Sequence, residues 1–198
     1  VFLCNPNNPT STFHSGLSVA AFIDDVRRSS PETMIQVDEA YIDYSEDPIG
    51  GTAVPFALDD PNVFVTRTFS KAYGMAGLRL GYAIGRPETM QKIEAAWGLG
   101  SVNVLTAAAA IASLNDPSHM ERERQENARV REFVHSTFKG LGLGVPLSNT
   151  NFLFVGLDRP VGDFRDACLE HRVQVGRNFP PMLDRCRVSL GTMGEMRR

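Results

Sequence analysis

Short unbroken apolar runs alternate along this chain with stretches in which apolar residues recur every three or four positions. Residues 1–4 (Val-Phe-Leu-Cys) form the first such run, and the turn-rich Asn5-Pro6-Asn7-Asn8-Pro9-Thr10-Ser11 ends it, so a buried strand is predicted there. The 3.6-residue period appears next over about 18–28, where Val19, Phe22, Ile23 and Val26 fall on one face of a helix. Residues 34–37 predict a second strand, ended by Asp38-Glu39-Ala40-Tyr41, and a looser Pro- and Gly-rich segment then runs to about residue 61. Residues 63–65 predict a third strand and 81–84 a fourth, with the segment holding Lys71 between them. Apolar runs that do not alternate with polar residues and are joined by helical crossovers predict an α/β fold with a mostly parallel sheet covered on both faces.

The second half reads differently. An amphipathic helix is expected over 87–97, a well-packed alanine-rich helix over 103–114, and a long charged helix over 117–139. Ile111, Val130, Phe133, Val134 and Phe138 are the expected packing residues around this pair. Strands are predicted at 151–155, 173–175 and 187–190, with a helix at 161–171. The pattern therefore implies a large α/β domain over residues 1–110 and a smaller α+β domain over 111–198, with no internal repeat. The chain opens directly on a strand without an initiator methionine and stops just after another, so part of a longer protein is expected.

Composition narrows the function classes. The hydrophobic fraction of 42% and charged fraction of 22% are those of a globular protein. A net charge of −3 with interleaved acids and bases offers no stripe for nucleic acid, and no apolar run is long enough for a membrane span. Cys4, Cys168 and Cys186 are odd in number and widely spaced, and His14, His119, His135 and His171 lack ligand spacing. Neither a disulfide framework nor a metal site is implied, and a reducing compartment fits better.

The candidate chemistry centres on Lys71, a lysine isolated among Phe69, Tyr73, Met75 and Leu78. Set among them it would be desolvated, and desolvation favours the neutral, nucleophilic amine that Schiff-base formation requires. The polar clusters fall where strands end, which is where open α/β sheets place ligands. Asn8 follows the first strand, Asp38 and Tyr41 the second, and Thr68, Ser70 and Lys71 the third. Each alone has an ordinary alternative: a turn, a helix cap, a solvated lysine.

Five segments in order carry a resemblance: Asn5-Pro6-Asn7-Asn8-Pro9-Thr10, Asp38-Glu39-Ala40-Tyr41, Thr68-Phe69-Ser70-Lys71, Ala76-Gly77-Leu78-Arg79-Leu80-Gly81 and Arg187-Val188-Ser189-Leu190-Gly191-Thr192. The chain resembles the fold type I pyridoxal-phosphate aminotransferases of class I/II, and among them the histidinol-phosphate aminotransferase branch. The resemblance implies that Lys71 holds pyridoxal 5'-phosphate as a Schiff base and then carries the proton. Asp38 would pair with the pyridine nitrogen, and Asn8 and Tyr41 would donate to the ring's phenolate oxygen. Thr68, Ser70 and Arg79, the last on the next strand, would bind the phosphate. Arg187 would grip the substrate α-carboxylate through its planar fork, with Arg177 a second arginine for a substrate phosphate and Asn8 beside them.

The implied reaction is a ping-pong transfer of an amino group between an amino acid or histidinol phosphate and a 2-oxo acid, in a cytoplasmic homodimer of amino-acid biosynthesis, histidine biosynthesis included. The alternatives are a decarboxylase of the threonine-phosphate type, which carries similar motifs, or an inactive fragment. The chain departs from the family's pattern at Ser11, where glycine is usual, and in the Phe179-Pro180-Pro181 that follows Arg177. Family members also carry, upstream of the matched region, a glycine-containing loop that completes the phosphate cup and an aromatic that stacks on the ring.

Overall fold

The computed structural model describes residues 1–98 and 100–198. Its first sheet holds four strands in chain order, β1 (Phe2–Cys4), β2 (Ile35–Asp38), β3 (Val63–Thr68) and β4 (Gly81–Ile84). The first three run parallel, and β4 returns antiparallel to β3. Connections explain the difference. A parallel neighbour needs a crossover, and α1 (Gly16–Ser29) and α2 (Val54–Asp59) supply two of them. Between β3 and β4 there is only the Lys71 loop and one 3-10 turn, Ala76–Leu78, so the chain doubles back.

The register decides what the sheet presents. Cys4 lies opposite Asp38 and Asp38 opposite Thr66, so the last residues of β1 and β2 form one row with a β3 hydroxyl. Val19 and Ile23 of α1 pack with Ala53, Ala57, Ile35, Val37, Val63 and Val65 on one face of the sheet. The other face is covered only in part. There Phe2 is 76% exposed, and Phe64 with Ile93 and Ala96 of α3 (Pro87–Trp97) lines an open apolar hollow. α2 lies inside the segment expected to be loose. At six residues it is too short to show a period, and Pro55 in its first turn marks its start.

α4 (Val104–Leu114) forms where alanine propensity predicts, capped by the Asn103 side chain on Leu105 N at 2.8 Å. It is not well packed. Only Thr106 and Ala110 are buried, and Ile111, expected in the core, is 62% exposed. Alanine makes the helix without providing side chains long enough to reach a neighbour. α5 (Pro117–Gly140) buries Val130 and Val134 as expected, against β5 (Phe152–Gly156), β6 (Arg185–Ser189) and Val161 of α6 (Val161–Glu170), with α7 (Met193–Met196) at its side. β5 and β6 pair antiparallel as a separate sheet. Residues 173–175 do not form the third strand predicted for it: Val173 N turns back to Cys168 O at 2.9 Å, and among the described residues of this segment Gly176 N alone bonds across, to Arg187 O at 3.1 Å.

The two packed halves meet close to the Lys71 loop. Arg131 of α5 is buried and donates to Tyr44 O at 3.1 Å and Thr150 O at 3.4 Å. Glu46 N donates to Asn149 Oδ1 at 3.0 Å. Tyr41, Tyr44 and Ala72 share one apolar cluster with Phe152 of β5. The loops after β2 and β3 are thereby fixed against the second half.

Candidate active site

β3 leads straight into the central loop. Thr68 Oγ1 donates to Leu80 O at 3.3 Å and accepts from Ser70 N at 3.0 Å, while Phe69 N donates to Leu80 O and Phe69 O accepts from Met75 N. Phe69 is buried and packs on Tyr73 and Tyr82, with centroids 4.9 and 5.6 Å away. This aromatic plug holds the loop's base, so Ser70 and Lys71 project on its free side. The expectation of an apolar wrap around Lys71 is therefore corrected: the aromatics pack on one another and the lysine is half-buried. Its amine stands 5.2 Å from the centre of the Tyr41 ring.

Two adjoining hollows open beside that amine. One of about 440 Å³ is lined by Asp38, Thr66, Thr68, Ser70, Lys71 and Arg79. The other, of about 280 Å³, is lined by Cys4, Asn8, Asp38, Tyr41 and Lys71. Asp38 and Lys71 belong to both, so a cation source and a carboxylate sit on the shared boundary, with hydroxyls and Arg79 on one side. Asp38 ends β2, and its Oδ1 accepts from Ala40 N at 3.0 Å. Cys4 beside it has its thiol pushed up from the ordinary range, by burial first and by the Asp38 charge second. Arg79 is not on the next strand as expected. It is the first of two residues between the 3-10 turn and β4, in a left-handed conformation (φ 55°), with Nη1 donating to Ala76 O at 2.8 Å.

A charged layer lies close to Asp38. Glu39 is fully buried and accepts from Thr52 Oγ1, Ala53 N at 2.6 Å and Arg67 Nε at 3.0 Å, and its carboxylate pairs with Arg67 Nη2 at 2.8 Å. Burial pulls the Arg67 guanidinium down, but the charge and hydrogen bond of Glu39 outweigh it and the net direction is up. Asp43, half-buried nearby, is pushed up by burial, with only partial relief from Arg67 and Arg124. The next residue in the chain, Asp38's neighbour Glu39, thus serves structure while Asp38 faces the hollows.

The first departure from the family pattern proves structural. Ser11 is buried with φ 59°, the left-handed region glycine favours, and it keeps the turn with its N donating to Asn7 O at 2.8 Å. Asn8 is accordingly still presented to solvent at the hollow's rim. There its Oδ1 accepts from Arg187 Nη1 at 2.9 Å. The Arg187 guanidinium also lies over two rings, 5.1 Å from the centre of Phe152 and 5.4 Å from that of Phe179. Arg177 is exposed, 4.4 Å from the centre of the same Phe179 ring, and is not among the residues lining the two hollows.

Sequence reasoning missed Phe152 and Phe179. Phe152 sits in a predicted strand, where a core position is the ordinary reading. Phe179 was visible as the unusual Phe-Pro-Pro after Arg177, and that was the signal available.

The description of the family model that matches residues 1–198 is aminotransferase class I and II. The chain is 40% identical over 201 residues to a histidinol-phosphate aminotransferase of Symbiobacterium thermophilum, covering all of this chain and 54% of that protein. It is 36% identical to an aromatic amino acid aminotransferase of Mycobacterium avium, over 98% of this chain and 53% of that one. Among solved structures, the histidinol-phosphate aminotransferase of Sinorhizobium meliloti in complex with pyridoxal-5'-phosphate superposes with a TM-score of 0.88 at 29% identity, over 100% of this chain and 54% of that chain. The chain spans about half the length of the curated relatives it matches.

Proposed function

Because the chain belongs to the class I and II aminotransferase family, we propose that the protein is a pyridoxal-phosphate-dependent transaminase whose reactive amine is Lys71. The donor set suits the group. An aldehyde carbon needs an amine, a pyridinium nitrogen a carboxylate, a phenolate oxygen neutral donors, and a phosphate short hydroxyls beside a permanent cation. Lys71, Asp38, the pair Asn8 and Tyr41, and the trio Thr68, Ser70 and Arg79 offer these around two adjoining hollows. When bound, the group would supply a sink for the electron pair left when the substrate Cα loses its proton.

The protein's own residues would do the rest. Asp38, held by Ala40 N, presents its carboxyl group on the shared boundary. The Lys71 amine, on the Tyr41 side of the hollow, would take the proton from the substrate Cα and carry it to C4′, the carbon that receives the amino group. Arg187 grips the α-carboxylate with its fork, and its tie to Asn8 sets that fork at the rim of the hollow holding Lys71. The amino group would pass from an amino acid or histidinol phosphate to a 2-oxo acid in two half-reactions. Relatives with both kinds of substrate in their names stand at similar identity. Exposed Arg177 favours a substrate with a second anionic group. Two separate apolar clusters support a large domain over 1–110 and a small one over 111–198. A cytoplasmic homodimer is proposed by analogy with the family.

One observation carries the reading: Lys71 and Asp38 share the wall of both hollows, with phosphate-type donors on one side and the Asn8–Arg187 pair on the other. The test is product analysis of the full-length protein with pyridoxal phosphate, histidinol phosphate or phenylalanine, and 2-oxoglutarate. Glutamate formed in step with the new oxo product supports it. Carbon dioxide released with no oxo product would point instead to a decarboxylase.

A further inference from the structure

Arg187 is oriented at one end only by hydrogen bonding. Nη1 donates to Asn8, whereas Nε is buried and finds no acceptor among the described residues. A guanidinium tied through one nitrogen can still rotate its plane, and a fork that rotates loses the two parallel bonds that make it selective for carboxylate. Something else must hold the plane. The two rings against it differ in kind. Phe152 lies on β5 in the core and is fixed edge-on to Tyr41, centroid to centroid 5.2 Å. Phe179 comes from the segment between α6 and β6, outside any strand or helix.

That segment is nevertheless built to deliver the ring. Gly176 N bonds Arg187 O at 3.1 Å, and a Cβ at Gly176 would stand 2.5 Å from that carbonyl, so only glycine brings the segment this close to β6. Three residues later Phe179 is 9% exposed, edge-on to Phe154 at 6.3 Å, and Met182 N donates to its carbonyl at 2.9 Å. Its ring carries two cations, Arg187 at 5.4 Å and Arg177 at 4.4 Å. A ring covered in this way offers little surface to substrate and acts through the arginines.

We propose that Phe179 is a positioning residue that, together with Phe152, holds the Arg187 guanidinium plane for carboxylate recognition and keeps Arg177 beside it. The proposal rests on the reading of Arg187 as the carboxylate residue. It makes Phe179 a determinant of substrate affinity without contact with the reacting atoms.

The test uses the full-length protein with Phe179→Leu, which keeps apolar volume but removes the π face, and Phe179→Tyr, which keeps the face. Each is titrated with 3-phenylpropionate, and with 3-phenylpropanamide as an uncharged control, both with and without pyridoxal phosphate. The dissociation constant for the carboxylate is expected to rise roughly five- to thirty-fold in Phe179→Leu and to stay within about two-fold in Phe179→Tyr. The amide should bind all three proteins equally weakly. KM for the amino donor should rise with kcat nearly unchanged, a split that mere loosening of the core would not give. Equal carboxylate affinity in wild type and Phe179→Leu, or an equal loss in both variants, overturns the proposal. The titrations without cofactor decide this even if the wild type takes up no pyridoxal phosphate, a result that would instead refute the transaminase reading.

Discussion

Arg187 Nη1 donates to Asn8 Oδ1 across 2.9 Å, joining residues 179 positions apart, one on the loop after β1 and one on β6. The bond couples the fork to the hollow that holds Lys71, and its acceptor is neutral. Asn8→Asp would place a full charge on Arg187 in the absence of any ligand. A charge-assisted bond exceeds a neutral one by about 1–2 kcal/mol, so carboxylate ligands should bind roughly ten-fold more weakly. Titration of the variant with 3-phenylpropionate checks this, and unchanged affinity would remove Asn8 from the carboxylate site.

How much of this was legible beforehand differs between parts. β2, β3, α1 and α5 follow from apolar period alone, because each buries one stripe or run against a single core; β1 and β4 form from the same kind of run, yet β1 is not the buried strand expected, with Phe2 76% exposed, and β4 is only half-covered. α2 was hidden by its six residues, and the β3–β4 reversal by the fact that a strand's direction leaves no mark in its composition. The ordered motifs brought Asn8, Asp38, Tyr41, Thr68, Ser70, Lys71 and Arg79 around the two hollows. What no motif could show was contact between distant segments, namely the Asn8–Arg187 bond, the Phe152 and Phe179 rings on Arg187, and the Glu39–Arg67 pair. Lys71 itself was read from its apolar neighbours in sequence, yet Phe69 and Tyr73 pack on one another, Leu78 is exposed, and the amine stands by the Tyr41 ring.

Ser11 keeps a glycine-type turn at a cost. A non-glycine residue in the left-handed region loses about 1–2 kcal/mol, of which glycine's greater unfolded-state freedom returns part. Ser11→Gly should therefore stabilise the fold by about 0.5–1 kcal/mol in denaturant unfolding. A loss of stability would show that its Oγ–Thr10 O bond of 2.6 Å matters more than the backbone.

Arg67→Leu should be costly. It leaves the fully buried Glu39 carboxylate with Thr52 and Ala53 N as its only donors among the described residues, and breaking a buried pair from one side typically destabilises by about 3 kcal/mol or more. Unfolding in urea measures it; a change under about 1 kcal/mol would mean that the neutral donors suffice.

Asp43 gives a pH dependence of definite sign. Burial raises its carboxyl above the unfolded value despite Arg67 and Arg124. The folded state then holds the proton longer than the unfolded state, so stability falls as pH rises from the ordinary carboxylate value through the higher folded one. Asp43→Asn should remove that decline and be more stable than wild type at neutral pH, with little difference in acid. Thermal melts from pH 4 to 7 would show it, and parallel curves for the two proteins would contradict it.

On the function proposed above, the Lys71 amine forms the covalent link to pyridoxal phosphate. Full-length protein is incubated with the cofactor, reduced with borohydride, digested, and the peptides weighed. A pyridoxyl adduct on Lys71, absent from Lys71→Ala while that variant stays folded, is the predicted result. No adduct, or one carried equally by Lys92 or Lys139, would rule out Lys71 as the reactive amine.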